Sequence, residues 1–190
     1  MSSEQRRWVL SGGLASGKSA VRSLLAGAGV ATIDADGVGH EVLEPDGPAF
    51  GQVADRWPEV VSNGSIDRKA LAAVVFNDMS QLRELEAITH PHIFDRILRR
   101  VKGEPGPVVV EIPVLDHGLG DGWRRMLVDA PDEVRLERAV ARGMTRADAV
   151  ARIASQPSRA EWLSVADLVI PNRGSLEELG AAVSDVVPHL

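Results

Sequence analysis

Apolar positions in the first third of the chain alternate between short continuous runs and helical spacing. Trp8-Val9-Leu10 reads as a buried strand, followed by a glycine-rich turn at Gly12-Gly13. From Lys18 the spacing turns helical, with Val21, Leu24, Leu25 and Ala28 on one face and Gly29 as the stop. Val30 to Ile33 predicts a second strand, ending at Asp34-Ala35-Asp36-Gly37. The strand pattern then disappears for about seventy residues. Asp67 is a candidate N-cap for a helix carrying Leu71, Val74 and Val75, and Ser80 for one carrying Leu82, Leu85 and Ile88. Pro91 predicts a break there and the start of a further helix with Ile93, Ile97 and Leu98 as its stripe.

Beyond a Gly- and Pro-rich loop at 103–107, strands resume at Val108 to Ile112, at Met126 to Val128 and at Leu168 to Ile170. These continuous apolar runs suit a parallel sheet covered on both faces. Helices are expected from Pro131 to Gly143, from a Thr145/Asp148 capping box carrying Val150 and Ile153, and from a Ser175/Glu178 box carrying Leu176, Leu179, Val183 and Val186. The predicted class is α/β: a parallel sheet flanked by helices, with a helical insertion. The core covers about 1–37 and 105–190, and the insertion about 38–104.

Composition narrows the functions. The 190 residues are 44% hydrophobic and 25% charged, enough for a packed core in a single domain. The chain has no cysteine, which excludes disulfides, thiolate metal sites and cysteine nucleophiles, and fits a reducing cytoplasm. A net charge of −6 with 4% aromatics argues against a nucleic-acid binder. No apolar stretch is long enough to span a membrane, and the apolar run before Gly12 is too short for a signal peptide. A cytoplasmic protein is expected, with no nucleic-acid or membrane partner.

Gly12-Gly13-Leu14-Ala15-Ser16-Gly17-Lys18-Ser19 matches G-x-x-x-x-G-K-[ST] in full. Its glycines let the chain curl so that successive N–H groups point at a phosphate, and the following helix adds its N-terminal dipole. Gly13 to Ala20 are therefore the candidate contacts to a nucleoside triphosphate. Lys18 would reach the β- and γ-phosphates, and the Ser19 hydroxyl would ligate Mg²⁺. The competing reading is a chance match in a glycine-rich turn. A strand before and an amphipathic helix after are what the phosphate mechanism requires, and Lys18 is one of only three lysines among 21 basic side chains.

Asp34 and Asp36 stand at the end of the second strand, where i and i+2 share a face. A carboxylate there could take a proton from a substrate hydroxyl or hold Mg²⁺ through water; Asp-Ala-Asp-Gly is equally good turn chemistry. The same four residues match the D-x-x-G of a GTPase switch, but no guanine-reading N-K-x-D occurs in the chain. Arg135, Arg138 and Arg142 are spaced to line one helix side, with Arg146 beyond Gly143. They read either as a solvated face or as guanidiniums on a lid, neutralising a transferred phosphoryl group.

Taken in order, these pieces resemble dephospho-coenzyme A kinases over about residues 9–183. The resemblance is carried by Leu10 to Ser19, Ile33 to Asp36, Asn63 to Arg68, Val75-Phe76 and His90-Pro91. It continues through Ile112 to Leu115, Arg138 to Arg146, Gln156, Ser158-Arg159, Ala166-Asp167 and Asn172 to Ser175. It implies a phosphate-loop kinase fold with an inserted helical substrate-binding subdomain and a lid at about 138–160. The implied reaction is ATP-dependent phosphorylation of the ribose 3′-hydroxyl of dephospho-coenzyme A. Asp36 matches the family's general base, Arg142 with Arg138 its lid arginines, Asn172 a nucleotide contact, and Asp34 and His90 the substrate region. His90 could equally be a cap before Pro91. The chain departs from the family at Leu14, Ala15 and Ala20, where Ile, Gly and Thr are usual. Ala15 is expected at negative φ, because its methyl would otherwise be strained. Asp116 sits one residue short of the family's carboxylate, and Pro171 stands where Asp is frequent. The rival readings are another small phosphate-loop metabolite or nucleotide kinase and an NTP-binding regulatory module.

Overall fold

The computed structural model describes residues 7–112 and 118–190. Its first half runs β1 (Arg7–Ser11), α1 (Lys18–Gly27), β2 (Ala31–Asp34), α2 (Ala35–Glu41), α3 (Phe50–Arg56), β3 (Val61–Ser62), β4 (Ser65–Ile66) and α4 (Arg68–Val75). It continues through α5 (Met79–Gly103), β5 (Val108–Glu111), β6 (Arg124–Asp129), α6 (Asp132–Ala141), α7 (Arg146–Ala154), α8 (Arg159–Ser164), β7 (Leu168–Pro171) and α9 (Leu176–Val186). Two compact units result, one of Met1–Ile33 with Glu104–Leu190, the other of Asp34–Gly103.

The first unit is built on a five-stranded sheet of order β2-β5-β1-β6-β7. The pairs β1–β5, β1–β6 and β6–β7 are parallel, with Leu10 opposite Glu111 and Met126. Parallel strands are buried on both faces, which explains why β1, β5 and β6 read as unbroken apolar runs. Trp8, Leu10, Val109, Met126, Val128 and Ile170 pack with Val21 and Leu25 of α1 and with Leu179, Val183 and Val186 of α9. Both capping residues expected at α9 are in place: Ser175 accepts from the Glu178 N–H, and Glu178 accepts from the Ser175 N–H. Leu176 is the exception to the predicted stripe. It lies in the first turn with its side chain exposed. Pro171 is tolerated because β7 is an edge strand.

The second unit has its own core of Val53, Trp57, Val60, Ile66, Leu71 and Val75, with Leu82, Leu85 and Ile88 packed against it. Asp67 caps α4 as expected, accepting from the N–H groups of Lys69 and Ala70. Two expectations fail here. The capping side chain of α5 is Asp78, which accepts from both the Ser80 N–H and the Ser80 hydroxyl, so Ser80 lies inside the helix. Pro91 does not break the helix either, since it lies inside the 25-residue α5. An interior proline costs about 3 kcal/mol. Burial of Thr89, Ile97 and Val101 on either side offsets that cost, while Leu98 faces solvent. The seventy-residue gap is also not wholly helical. Asn63 and Gly64, at φ 51° and 74°, make the tight turn of the β3–β4 hairpin.

Candidate active site

The loop between β1 and α1 is fixed from several directions. Ser16 N–H donates to the Gly13 carbonyl at 3.2 Å, closing a turn. Gly17, at φ 104°, is the N-cap of α1, and a Cβ there would fall 2.1 Å from Asn172 Nδ2. Only glycine fits. Asn172, at the end of β7, donates that amide to the Ser16 carbonyl at 2.7 Å and is itself 5% exposed. Lys18 Nζ turns back over the loop and donates to the carbonyls of Gly12 and Gly13 at 2.9 and 3.1 Å.

Ala15 overturns one expectation. Its φ is 56°, in the left-handed region, which costs a residue with a Cβ about 1–2 kcal/mol. The methyl is not wasted: it is buried against Ala139 of α6 and Ala149 of α7. Leu14 beside it is partly buried in the same cluster.

The three arginines of α6 do different things, and for two of them the solvated-face reading fails. Arg135 is 4% exposed and donates to the Leu14 carbonyl from Nε at 2.9 Å, with its other nitrogens on Asp132 and Gln156. Arg138 donates to the carbonyls of Asn172 and Gly174 and to Asn172 Oδ1, all at 3.1–3.2 Å. Arg142 caps the C-terminus of α6, is exposed, and has no hydrogen-bonding partner for its guanidinium among the described residues. Arg138 and Arg142 line a cleft of about 270 Å³ with Gly17, Ala20, Asn172 and the exposed Leu176. A cavity lined by glycine, apolar side chains and two guanidiniums suits an anion attached to an apolar group.

Glu111, at the end of β5, was not singled out from sequence, although a carboxylate closing an apolar strand was visible. It is 8% exposed, accepts from Arg22 Nε at 2.7 Å, and lies 3.5 Å from the Ser19 hydroxyl. Hard oxygen donors thus stand side by side where the motif expects a cation. Asp129, at the end of β6, accepts two bonds from Arg159 at 2.7 Å, with Arg173 at 3.8 Å. The hydrogen bonds from Arg159 hold its carboxyl below the usual range, against the opposing effect of burial.

The remaining candidates belong to the second unit. Asp34 ends β2 and its carboxylate caps α2, accepting from the Asp36 N–H at 3.1 Å. Asp36 therefore stands in the first turn of a helix, exposed, and does not share a strand face with Asp34. The apolar pattern foretold no helix here; α2 begins directly after the strand because Asp34 itself supplies the cap. His90 lies in the middle of α5, exposed, with its ring 5.4 Å from Phe94, so it caps nothing. Asp116, with Pro113 to His117, lies outside the described residues.

Comparison with known proteins gives one answer. The family model described as dephospho-CoA kinase matches residues 8–178. A dephospho-CoA kinase of Frankia casuarinae is 40% identical over 184 residues, covering 93% of this chain and 80% of that protein. The Thermus thermophilus protein TT1252 superposes with a TM-score of 0.82 at 33% identity, covering 97% and 98% of the two chains. A dephospho-CoA kinase from Campylobacter jejuni gives 0.74 at 25% identity, with 96% of each chain covered. With a loop matched in full and a relationship spanning nearly the whole chain, the protein belongs to the dephospho-CoA kinase family.

Proposed function

We propose that the chain transfers the γ-phosphoryl group of ATP to the ribose 3′-hydroxyl of dephospho-coenzyme A, in the cytoplasm, with the following division of labour. ATP lies with its phosphates on the loop of residues 13–20 and its base against the cleft bounded by Asn172 and Leu176. Lys18 leaves the carbonyls of Gly12 and Gly13 to meet the β- and γ-phosphates, whose charge is the better partner for an ammonium. Arg138 and Arg142, on a lid of about residues 138–160, neutralise the charge that spreads over the phosphoryl oxygens in transit. The residues around Ser19 fit Mg²⁺: its hydroxyl would be a direct ligand, and Glu111, held by Arg22, would take a coordinated water. When bound, that ion supplies charge neutralisation across the β- and γ-phosphates.

The inserted helical unit presents the acceptor. Asp36 accepts the hydroxyl proton as the new P–O bond forms; its exposed carboxylate is free to do so because the capping work of that turn falls to Asp34. His90 contacts the substrate from the face of α5. The observation that carries this reading is the preformed loop, with Lys18 folded over its carbonyls and Arg138 and Arg142 lining the cleft beside Gly17 and Asn172. ADP release measured with dephospho-coenzyme A, and with adenosine monophosphate and shikimate as controls, tests it. Release dependent on dephospho-coenzyme A alone is expected. Equal release with another acceptor identifies a different metabolite kinase, and none with any acceptor identifies a nucleotide-holding module.

A further inference from the structure

Both polar backbone groups of one residue in the phosphate loop are held by side chains from distant segments. The Leu14 N–H donates to Gln156 Oε1 at 2.8 Å, and the Leu14 carbonyl accepts from Arg135 Nε at 2.9 Å. Arg135 Nη2 also donates to the same Gln156 oxygen, and Nη1 to Asp132 Oδ1 at 2.8 Å. Every nitrogen of the guanidinium is thus engaged, and the group lies so flat on the loop that a Cβ on Gly13 would fall 2.1 Å from Nη2. Arg135 is buried while its acidic partner Asp132 has a side chain 60% exposed, so the guanidinium is kept inside by its fit to the loop more than by charge neutralisation.

The next residue is Ala15, held left-handed where most side chains would not stay. Such backbone persists only where its surroundings over-determine it. We infer that Arg135 and Gln156 are positioning residues that clamp the Leu14 backbone and thereby hold the strained Ala15 turn in its phosphate-binding shape. Both act through the Leu14 backbone, Gln156 on its N–H and Arg135 on its carbonyl. Arg135 lies on α6 and Gln156 between α7 and α8, so the clamp joins the loop to α6, which carries Arg138 and ends at Arg142, and to the segment after α7. Without the clamp, Ala15 relaxes toward negative φ and the N–H groups that follow it lose their common aim. With glycine at position 15 the clamp becomes dispensable, since glycine keeps positive φ at little cost.

The inference rests on the loop being the ATP site, and its test reads that binding without any acceptor. ADP is titrated into the unaltered protein, Ala15→Gly, Arg135→Met and the double variant, with folding followed by circular dichroism. Arg135→Met is expected to weaken ADP about tenfold with Ala15 present, and less than about threefold in the Ala15→Gly background. KM for ATP rises in parallel, while kcat at saturating ATP stays within about threefold, the pattern of lost ground-state positioning. Arg135→Lys is expected to behave like Arg135→Met, because one ammonium cannot replace a planar fork holding three partners. Gln156→Met, which removes only the acceptor of the Leu14 N–H, gives the same dependence on residue 15 and carries the test alone if Arg135→Met does not fold. Equal losses in both backgrounds, full recovery with Arg135→Lys, or an effect on kcat with ADP affinity unchanged would each overturn the inference. Binding of ADP by the unaltered protein keeps this result separate from the identity of the acceptor.

Discussion

The two units differ in how they hold polar side chains. In the sheet unit, Arg135, Arg138, Asn172, Glu111 and Asp129 are largely withdrawn from solvent, and each is bonded to groups from another segment. In the helical unit the ion pairs lie on the surface: Arg56–Glu84, Arg99–Asp95, and Glu41 with Arg96 and Arg100. Its two proposed site residues, the base Asp36 and the substrate contact His90, are exposed. A loop that must meet a triphosphate gains from rigidity prepared in advance, since donors already in place need no reorganisation during transfer. A surface proposed to receive a large, flexible acceptor gains from side chains not committed elsewhere.

The largest test of that contrast lies in the loop. Lys18→Ala is expected to reduce turnover by about 10³ or more, with little change in melting temperature, because the ammonium serves phosphate charge and not the core. Arg142→Ala should lower kcat on the order of 10³ while leaving KM for dephospho-coenzyme A close to its original value. If only KM moves, Arg142 is a binding contact. In the helical unit, Asp36→Asn should lower turnover roughly 10² at saturating substrates, and Asp34→Asn less. The reverse order would make Asp34 the base and Asp36 the helix-turn residue.

Smaller effects fall on stability. The Asp129 carboxyl is held below its usual range by Arg159, so the ionised form favours the fold. That contribution is fully present above the ordinary carboxylate value of about 3.9 and is lost as pH falls through the lowered one. Asp129→Asn should therefore melt below the unaltered protein at neutral pH, and thermal melts toward pH 2 should show the gap closing. A constant gap would mean that the residue acts through packing alone. Least of all, Asp95→Ala on the exposed i,i+4 pair with Arg99 should cost no more than about 0.5 kcal/mol by urea denaturation.

The same contrast governs what the chain disclosed before its structure was known. Local codes read well. The strand runs, the Asp67 cap, the Ser175/Glu178 box and the phosphate-loop motif depend on neighbours in sequence, and each element they foretold is present. Pro91 misled because the penalty it carries is local while the packing that overrides it is not. The β3–β4 hairpin escaped because its strands are too short for alternation to register, although Asn63-Gly64 is a strong turn signal. α8 went unread because its capping pair, Ser158 and Glu161, introduces only six residues. Within the site, the spacing of Arg135, Arg138 and Arg142 gave a common helix side but not their different fates. Burial of Arg135 depends on Leu14 and Gln156, 121 and 21 residues away, which no periodicity reports.

Gly17 and Asn172 carry a consequence for how such a chain can change over generations. The space that a methyl group would need at position 17 is filled by the amide of Asn172, which in turn holds the Ser16 carbonyl. Drift at either site alone is blocked from one direction by collision and from the other by an orphaned carbonyl. Exchange of the pair would need two coordinated steps through an intermediate with a damaged loop. Two positions at opposite ends of the sequence are thus tied into one heritable unit, and relatives that escape it should do so at both positions together.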